Sequence, residues 1–327
     1  MKALVALVSL LFILSSCEKE EPLYPPSVQG TLVAGIGKDY RYSVYFNIEQ
    51  GSFVRSVEHD KWSLSFSSDE ADSLISLNTG NFMSAKNSGD TSFSAVVDTL
   101  AGIRWKYDFP TGEKNRKALK FALNESKKAS KLVFVLDLGF DADGNTLGYR
   151  KFQLLKVDLD GYTFRYARLD GSELKVVRLN REDNKRRIMY DMRSHQIEDI
   201  EPSTDSWDLC FTQYTDYDLT VEGDTLIYLV RGVQTDSKRH SVFLGENLLN
   251  WDNLQLSDIL SKPFSVAENA IGYDWKIYNF DLARYVIEPE MIYIVNTGLN
   301  GYYALRFVDY YNDLGERGFA SFEIKGL

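Results

Sequence analysis

Apolar and polar residues alternate with period two along much of this chain. Trp207, Leu209 and Phe211 fall on one face of a segment, and Trp62, Leu64 and Phe66 fall on one face of another. Period two with a single apolar face is the pattern of a half-buried strand. Asp208, next to Trp207, then points to the opposite face, where it reads as a residue that holds turn or loop backbone. Helix is predicted only over Glu113–Asn124 and Asn247–Leu260. With so many period-two runs, the expected fold class is all-β and antiparallel.

The strand pattern occurs twice. Tyr45-Phe46-Asn47-Ile48, a turn, and Lys61-Trp62-Ser63-Leu64-Ser65-Phe66 correspond to Met189-Tyr190-Asp191-Met192, a turn, and Ser206-Trp207-Asp208-Leu209-Cys210-Phe211. Further on, Val133–Gly139 parallels Ile292–Gly298, and Gly148–Leu155 parallels Gly301–Val308, each pair flanking a Gly-containing hairpin turn. A polar stretch, Asn180–Lys185, suggests the boundary. The reading is two related β-units in tandem, 38–180 and 181–327.

The N-terminus predicts export. Lys2 precedes an apolar run from Ala3 to Leu14, too short for a stable membrane-spanning helix. Leu14-Ser15-Ser16-Cys17 resembles a bacterial lipobox, which makes 1–16 a lipoprotein signal peptide and Cys17 the lipidated residue. Acyl chains on Cys17 would anchor by burial of CH₂ groups, at about 0.8 kcal/mol each. Glu18-Lys19-Glu20-Glu21 resembles the acidic export signal of surface lipoproteins in Bacteroidetes-type bacteria. Pro22, Pro25 and Pro26 stiffen a tether over 17–37. The expected location is the outer membrane, lipid-anchored and facing the cell surface.

Composition agrees with strands and limits the partners. Aromatic residues make up 13% of the chain, with 20 Tyr and 19 Phe, types that favour pleated, half-buried surfaces. The formal charge of -10 argues against sequence-independent nucleic-acid binding, which needs a basic face. With Cys17 acylated, Cys210 has no disulfide partner and reads as a small buried residue.

Trp207-Asp208-Leu209-Cys210-Phe211-Thr212 resembles the Trp-Asp strand of HmuY-like proteins, the haem-binding lipoproteins of Bacteroidetes. Tyr303–Tyr311, followed by Gly318 and Phe322, is similar to that family's closing hairpin. The resemblance is clearest over 188–327 and weaker over 40–179, where Ser63 follows Trp62. It implies a lipid-anchored β-protein that receives haem and works with outer-membrane uptake machinery. It also implies axial ligands that are histidines in some members and methionines in others. The position shortly after the Trp-Asp strand, where one form of the family has histidine, is Thr212 here.

Haem iron favours imidazole or thioether ligands in an apolar pocket. The three histidines are His59, His195 and His240. Polar neighbours make all three read first as exposed loop residues. His240 is nevertheless a candidate ligand-binding residue, with Lys238 and Arg239 beside it to meet carboxylates. Met83, in Asn81-Phe82-Met83-Ser84, reads as a loop residue and a candidate soft ligand. Met189 and Met192 read as core. Asp141-Ala142-Asp143-Gly144-Asn145 resembles a calcium loop, but Phe152 stands where an EF-hand needs its bidentate acid, so a hairpin turn is the better reading. Hydrolase, redox and P-loop motifs are absent, and no enzyme activity is expected. The functional expectation is a surface lipoprotein that binds haem or a haem-related nutrient. The alternative is a β-rich interaction module for a glycan or a partner protein.

Overall fold

The computed structural model describes residues 30–219, 225–298 and 301–327. The expected signal peptide, Cys17 and most of the expected tether lie outside the described residues.

Among the described residues, twenty strands form four main sheets and one small hairpin. In chain order they are β1 (Leu32–Gly35), β2 (Tyr42–Asn47), β3 (Ser52–Glu58), β4 (Leu64–Ser67) and β5 (Ile75–Leu77). Next come β6 (Ser84–Asn87), β7 (Val133–Asp137), β8 (Tyr149–Asp158), β9 (Gly161–Ala167) and β10 (Lys175–Asn180). Then follow β11 (Arg187–Asp191), β12 (Gln196–Glu198), β13 (Leu209–Leu219), β14 (Thr225–Thr235) and β15 (Ser241–Leu244). The last are β16 (Lys276–Asn279), β17 (Arg284–Ile287), β18 (Ile292–Asn296), β19 (Tyr302–Tyr311) and β20 (Arg317–Gly326). The pairings are antiparallel, as the alternation predicts.

The sheets come in two matching sets. One lobe has a five-stranded sheet, β6-β7-β8-β9-β10, and a four-stranded sheet, β5-β4-β11-β12. The other has β15-β18-β19-β20-β1 and β14-β13-β2-β3. The correspondence follows the sequence repeat, with one exchange: the Trp strand of each copy pairs with the opening hairpin of the other. Leu64 stands opposite Tyr190, and Leu209 opposite Phe46. The first lobe therefore has a core drawn wholly from Leu64 to Met192. The second combines Ala34–Ile48 with residues from Leu209 to Ile324. Strand pairs cross the 180/181 sequence boundary at β4–β11, β2–β13 and β1–β20.

Among the described residues there is no α-helix. Over Glu113–Asn124 the chain makes two 3-10 turns, Lys114–Arg116 and Lys120–Ala122, separated by an extended Lys117 that turns inward to Asp108. Over Asn247–Leu260 the only helical piece is Leu256–Asp258, and Asn247 takes a left-handed conformation that a helix cannot contain.

One element has no counterpart. β13 and β14 pair over eleven residues each, but β2 covers only Leu209–Phe211 of β13. The remainder is a two-stranded arm. The equivalent β4 and β5 are four and three residues long.

Candidate functional site

The arm lies along the first lobe, and the seam beneath it is the most elaborate polar site in the described residues. Asn78 builds the first-lobe wall. Its side chain donates to the carbonyls of His59 and Trp62 at 2.9 and 2.8 Å and accepts from the Gly80 amide at 3.0 Å. That fixes the turn Thr79–Asn81 against the arm, where Thr215 donates to the Thr79 carbonyl at 2.8 Å. Gly80 permits the close approach: a Cβ there would stand 3.0 Å from the Gln213 carbonyl oxygen. The Gln213 amide donates to the Gly80 carbonyl at 2.7 Å and lies 3.0 Å from His59 Nε2. His59 Nε2 is then the acceptor, which leaves the proton on Nδ1, a buried atom without a partner. Burial lowers the His59 pKa, against the pull of Asp60, and favours this neutral form. At the arm's outer end Phe109 and Tyr217 stack with ring centroids 3.7 Å apart.

The floor is ionic. Buried Arg186 meets Asp236 at 3.1 Å and Glu268 at 3.1 Å, both from the second lobe, and its guanidinium lies 5.6 Å from the Trp207 ring centre. Arg187 pairs with Glu201 at 2.6 Å, and Lys117 with Asp108 at 3.6 Å. Burial pushes the Glu268 carboxyl up, but the charges of Arg186, Arg187 and Lys117 outweigh it and hold the group down to about 2. Burial pushes the Cys210 thiol up to about 12, so it is an unreactive wall beside Tyr45. These groups enclose a cavity of about 60 Å³, whose walls include His59, Trp62, Phe109, Met189, Trp207 and Gln213. That is room for about two waters.

The sequence candidates do not converge. His59 and His240, read as exposed, are 3% and 2% exposed. Their polar sequence neighbours mislead, because Gln213 covers one and Asp208 the other. His240 Nε2 lies 2.8 Å from Asp208 Oδ1, and its Nδ1 lies 3.2 Å from the Asp236 carbonyl oxygen. Lys238 turns away to Asp69 at 2.6 Å, and Arg239 donates to the Trp207 carbonyl at 3.2 Å. The three residues form no common basic face. Met83, read as a loop residue, is 0% exposed in the first-lobe core, because Phe82 takes a left-handed turn and the next side chain points inward. His195 is half-buried at the tip of the β11–β12 hairpin, with Nδ1 2.6 Å from the Tyr166 hydroxyl. Asp141 closes its own turn, accepting from the Asp143 and Asn145 amides at 3.0 and 2.8 Å. Asp208 does hold backbone: its carboxylate accepts from the Ile48 amide at 2.6 Å. Sequence reasoning missed Arg186, Gln213, Glu268 and Phe109, whose partners lie tens of residues away and leave no local signal.

The family model described as HmuY protein matches residues 39–324. The chain belongs to the HmuY family. The match is continuous over both copies of the repeat and so takes in both lobes. Thr212 lies in the seam, with its hydroxyl 2.6 Å from that of Ser43. Among solved structures, the chain is similar to the apo HmuY analog (TFO) of Tannerella forsythia, at 10% identity over 93% of this chain and 98% of that one, with a TM-score of 0.26. A Bacteroides vulgatus protein described as HmuY-like and heme-binding matches at 11% identity over 90% of each chain, with a TM-score of 0.22. A Bacteroides fragilis protein described as a lipoprotein matches at 13% identity over 54% of this chain and 88% of that one, also with a TM-score of 0.22. At these scores the likenesses say nothing of ligand or site. No curated protein matches.

Proposed function

We propose that this is a lipid-anchored binding protein of the outer-membrane surface, held by acylated Cys17, whose ligand is haem or a haem-related nutrient passed to an uptake partner. Family membership over 39–324 is the observation that carries the reading. The closed seam itself does not fit haem. Its cavity of about 60 Å³ is far below the roughly 300 Å³ at which small-molecule pockets begin, and Arg186, Arg187 and Lys117 are already matched by carboxylates. A tetrapyrrole reaches the Thr212 position only if the arm parts from the Thr79–Asn81 turn. Titrating the mature chain with haemin, in the ferric and the reduced state, tests the reading. A saturable Soret change is expected; a flat titration in both states removes haem as the ligand.

A second reading is favoured by one observation. The β16–β17 hairpin presents Phe280, 86% exposed, beside exposed Ile277, Tyr278 and Leu282. Such an apolar finger suits a partner protein better than a glycan. A pull-down from outer-membrane extract with the wild type and with Phe280→Ser tests it. A partner retained equally by both would remove the finger from the reading.

A further inference from the structure

The arm is tied to the first lobe through a group that can take a proton. The backbone of buried His59 is held on both sides: its amide donates to the Arg41 carbonyl at 2.9 Å, and its carbonyl accepts from Asn78. Its ring lies against the Thr79–Asn81 turn, where a Cβ on Gly80 would stand 3.3 Å from Nδ1. Nε2 faces the arm and accepts from the Gln213 side-chain nitrogen, 3.0 Å away. Gln213 cannot reverse its amide to suit a protonated ring. The same nitrogen donates to the Gly80 carbonyl at 2.7 Å, and the amide oxygen accepts from Arg231 at 3.2 Å. A flip would set that oxygen against the Gly80 carbonyl and the NH₂ group against the guanidinium, a loss at both contacts. Arg231 is itself placed, with one terminal nitrogen on the Leu229 carbonyl at 3.2 Å and its guanidinium 4.3 Å from the Tyr40 ring centre. An imidazolium carries N–H on both nitrogens and would therefore meet Gln213 donor to donor.

The charges around the ring oppose one another. Burial is the largest influence and lowers the pKa of His59; Arg231 and Arg41 act the same way, while Asp60 and the Asn81 side chain oppose them. The seam cavity beside the ring also has Arg186, Arg187, Lys117 and Glu268 in its walls, each paired with an opposite charge. Once the arm is away, Gln213 no longer covers the ring, and an exposed histidine titrates at its ordinary 6.5. As pH falls below that value the parted form takes a proton first, and the closed form loses ground until pH has passed the lowered value of the buried ring. We propose that His59 and Gln213 form an acid-sensitive tie: a proton on His59 parts the β13–β14 arm from the Thr79–Asn81 turn, so the seam is closed at neutral pH and bared in mild acid. The device is a property of the chain alone and does not depend on what the chain binds.

Without any ligand, the mature chain is taken from about pH 7.5 to about pH 5 while two quantities are followed: amide exchange, corrected for its intrinsic rate, and the NMR signals of ¹⁵N-labelled histidine rings. Protection of β13 and β14 is expected to fall about tenfold, while β7, β8 and β9 keep theirs, which separates parting of the arm from loss of fold. The His59 ring is expected to hold its proton on Nδ1 at neutral pH and to gain the second at the midpoint of the exchange change. His59→Gln, whose carboxamide oxygen can accept from Gln213 and gains no proton, should keep the arm closed throughout. His195→Asn, which tolerates the left-handed backbone there, should leave the transition as it is. Arm protection that does not change with pH in the wild type overturns the proposal, and so does a transition kept in full by His59→Gln. Should His59→Gln be open already at neutral pH, the wild type decides: a ring that titrates more than about one pH unit from the opening overturns the proposal, and coincident midpoints uphold it.

Discussion

The joint where a Trp strand meets an opening hairpin is built twice, with different residues. In the second lobe the carboxylate sits on the Trp strand: Asp208 accepts from the Ile48 amide and faces His240, while Asn47 on the hairpin donates to the Ser206 carbonyl at 3.2 Å. In the first lobe the carboxylate sits on the hairpin: Asp191 accepts from the Ser63 hydroxyl at 2.8 Å and pairs with Arg193 at 3.0 Å. Ser63 in turn accepts from the Met192 amide at 3.1 Å. Each joint thus has one carboxylate, one cationic or ring partner and one satisfied amide, with the acid moved across the strand pair. The Ser63/Asp208 difference, which looked like a weakening of the motif in the first copy, is a compensated exchange. A repeat can keep its physics while its residues trade places.

The largest expected difference between the lobes is at the tryptophans. Trp207 is fully buried against Tyr45 and Trp62 only half, so Trp207→Ala should cost about 3–5 kcal/mol and Trp62→Ala less than half of that, by urea denaturation. Equal costs would mean that the seam, not the joint, sets Trp207's worth. Next are two equivalent turn glycines. Both have positive φ, but a Cβ on Gly139 would stand 1.8 Å from the Asn81 carbonyl oxygen, and one on Gly298 3.9 Å from that of Arg239. Gly139→Ala should therefore cost about 3 kcal/mol and Gly298→Ala about 1 kcal/mol, read as shifts of the urea midpoint. Asp208→Ala orphans the Ile48 amide and leaves His240 buried opposite nothing. It should cost about 2–3 kcal/mol, against about 1–2 kcal/mol for Asp191→Ala, whose Arg193 can turn to solvent.

The ionic floor that joins the lobes is tested by pH. Glu268 is held near 2 in the folded chain against an ordinary 4.5. Its contribution is therefore complete above about 4.5 and is lost as pH falls through the folded value, on the order of 3 kcal/mol over that window. Glu268→Gln should flatten the fall in stability between pH 4.5 and 2. An unchanged pH profile would locate the acid sensitivity elsewhere.

The alternation located the strands because period two reports which face is buried, and Leu64, Phe66, Leu209 and Phe211 are all buried as read. It could not show that the opening hairpins are exchanged, because a buried face does not name its partner: Phe46 pairs equally well with either Trp strand by pattern. The site was less legible. Lys61 next to Asp60, and Lys238-Arg239 before His240, have the composition of solvated loops, yet a glutamine 154 positions away covers His59. The arm was invisible for a related reason, since nothing in its local pattern distinguishes a strand that ends with its sheet from one that runs past it.

The pairing of β1 with β20 sets Leu32 against Phe322, so the first and last strands of the described residues are neighbours in one sheet. A chain made from its N-terminus has the whole first lobe available while the second still lacks its last strand. Strand β1 must wait, unpaired, until β20 has been made, and closing that long loop is the slow event. Loss of β20 would strand β1 as well, making the last strand the latch on which the first depends.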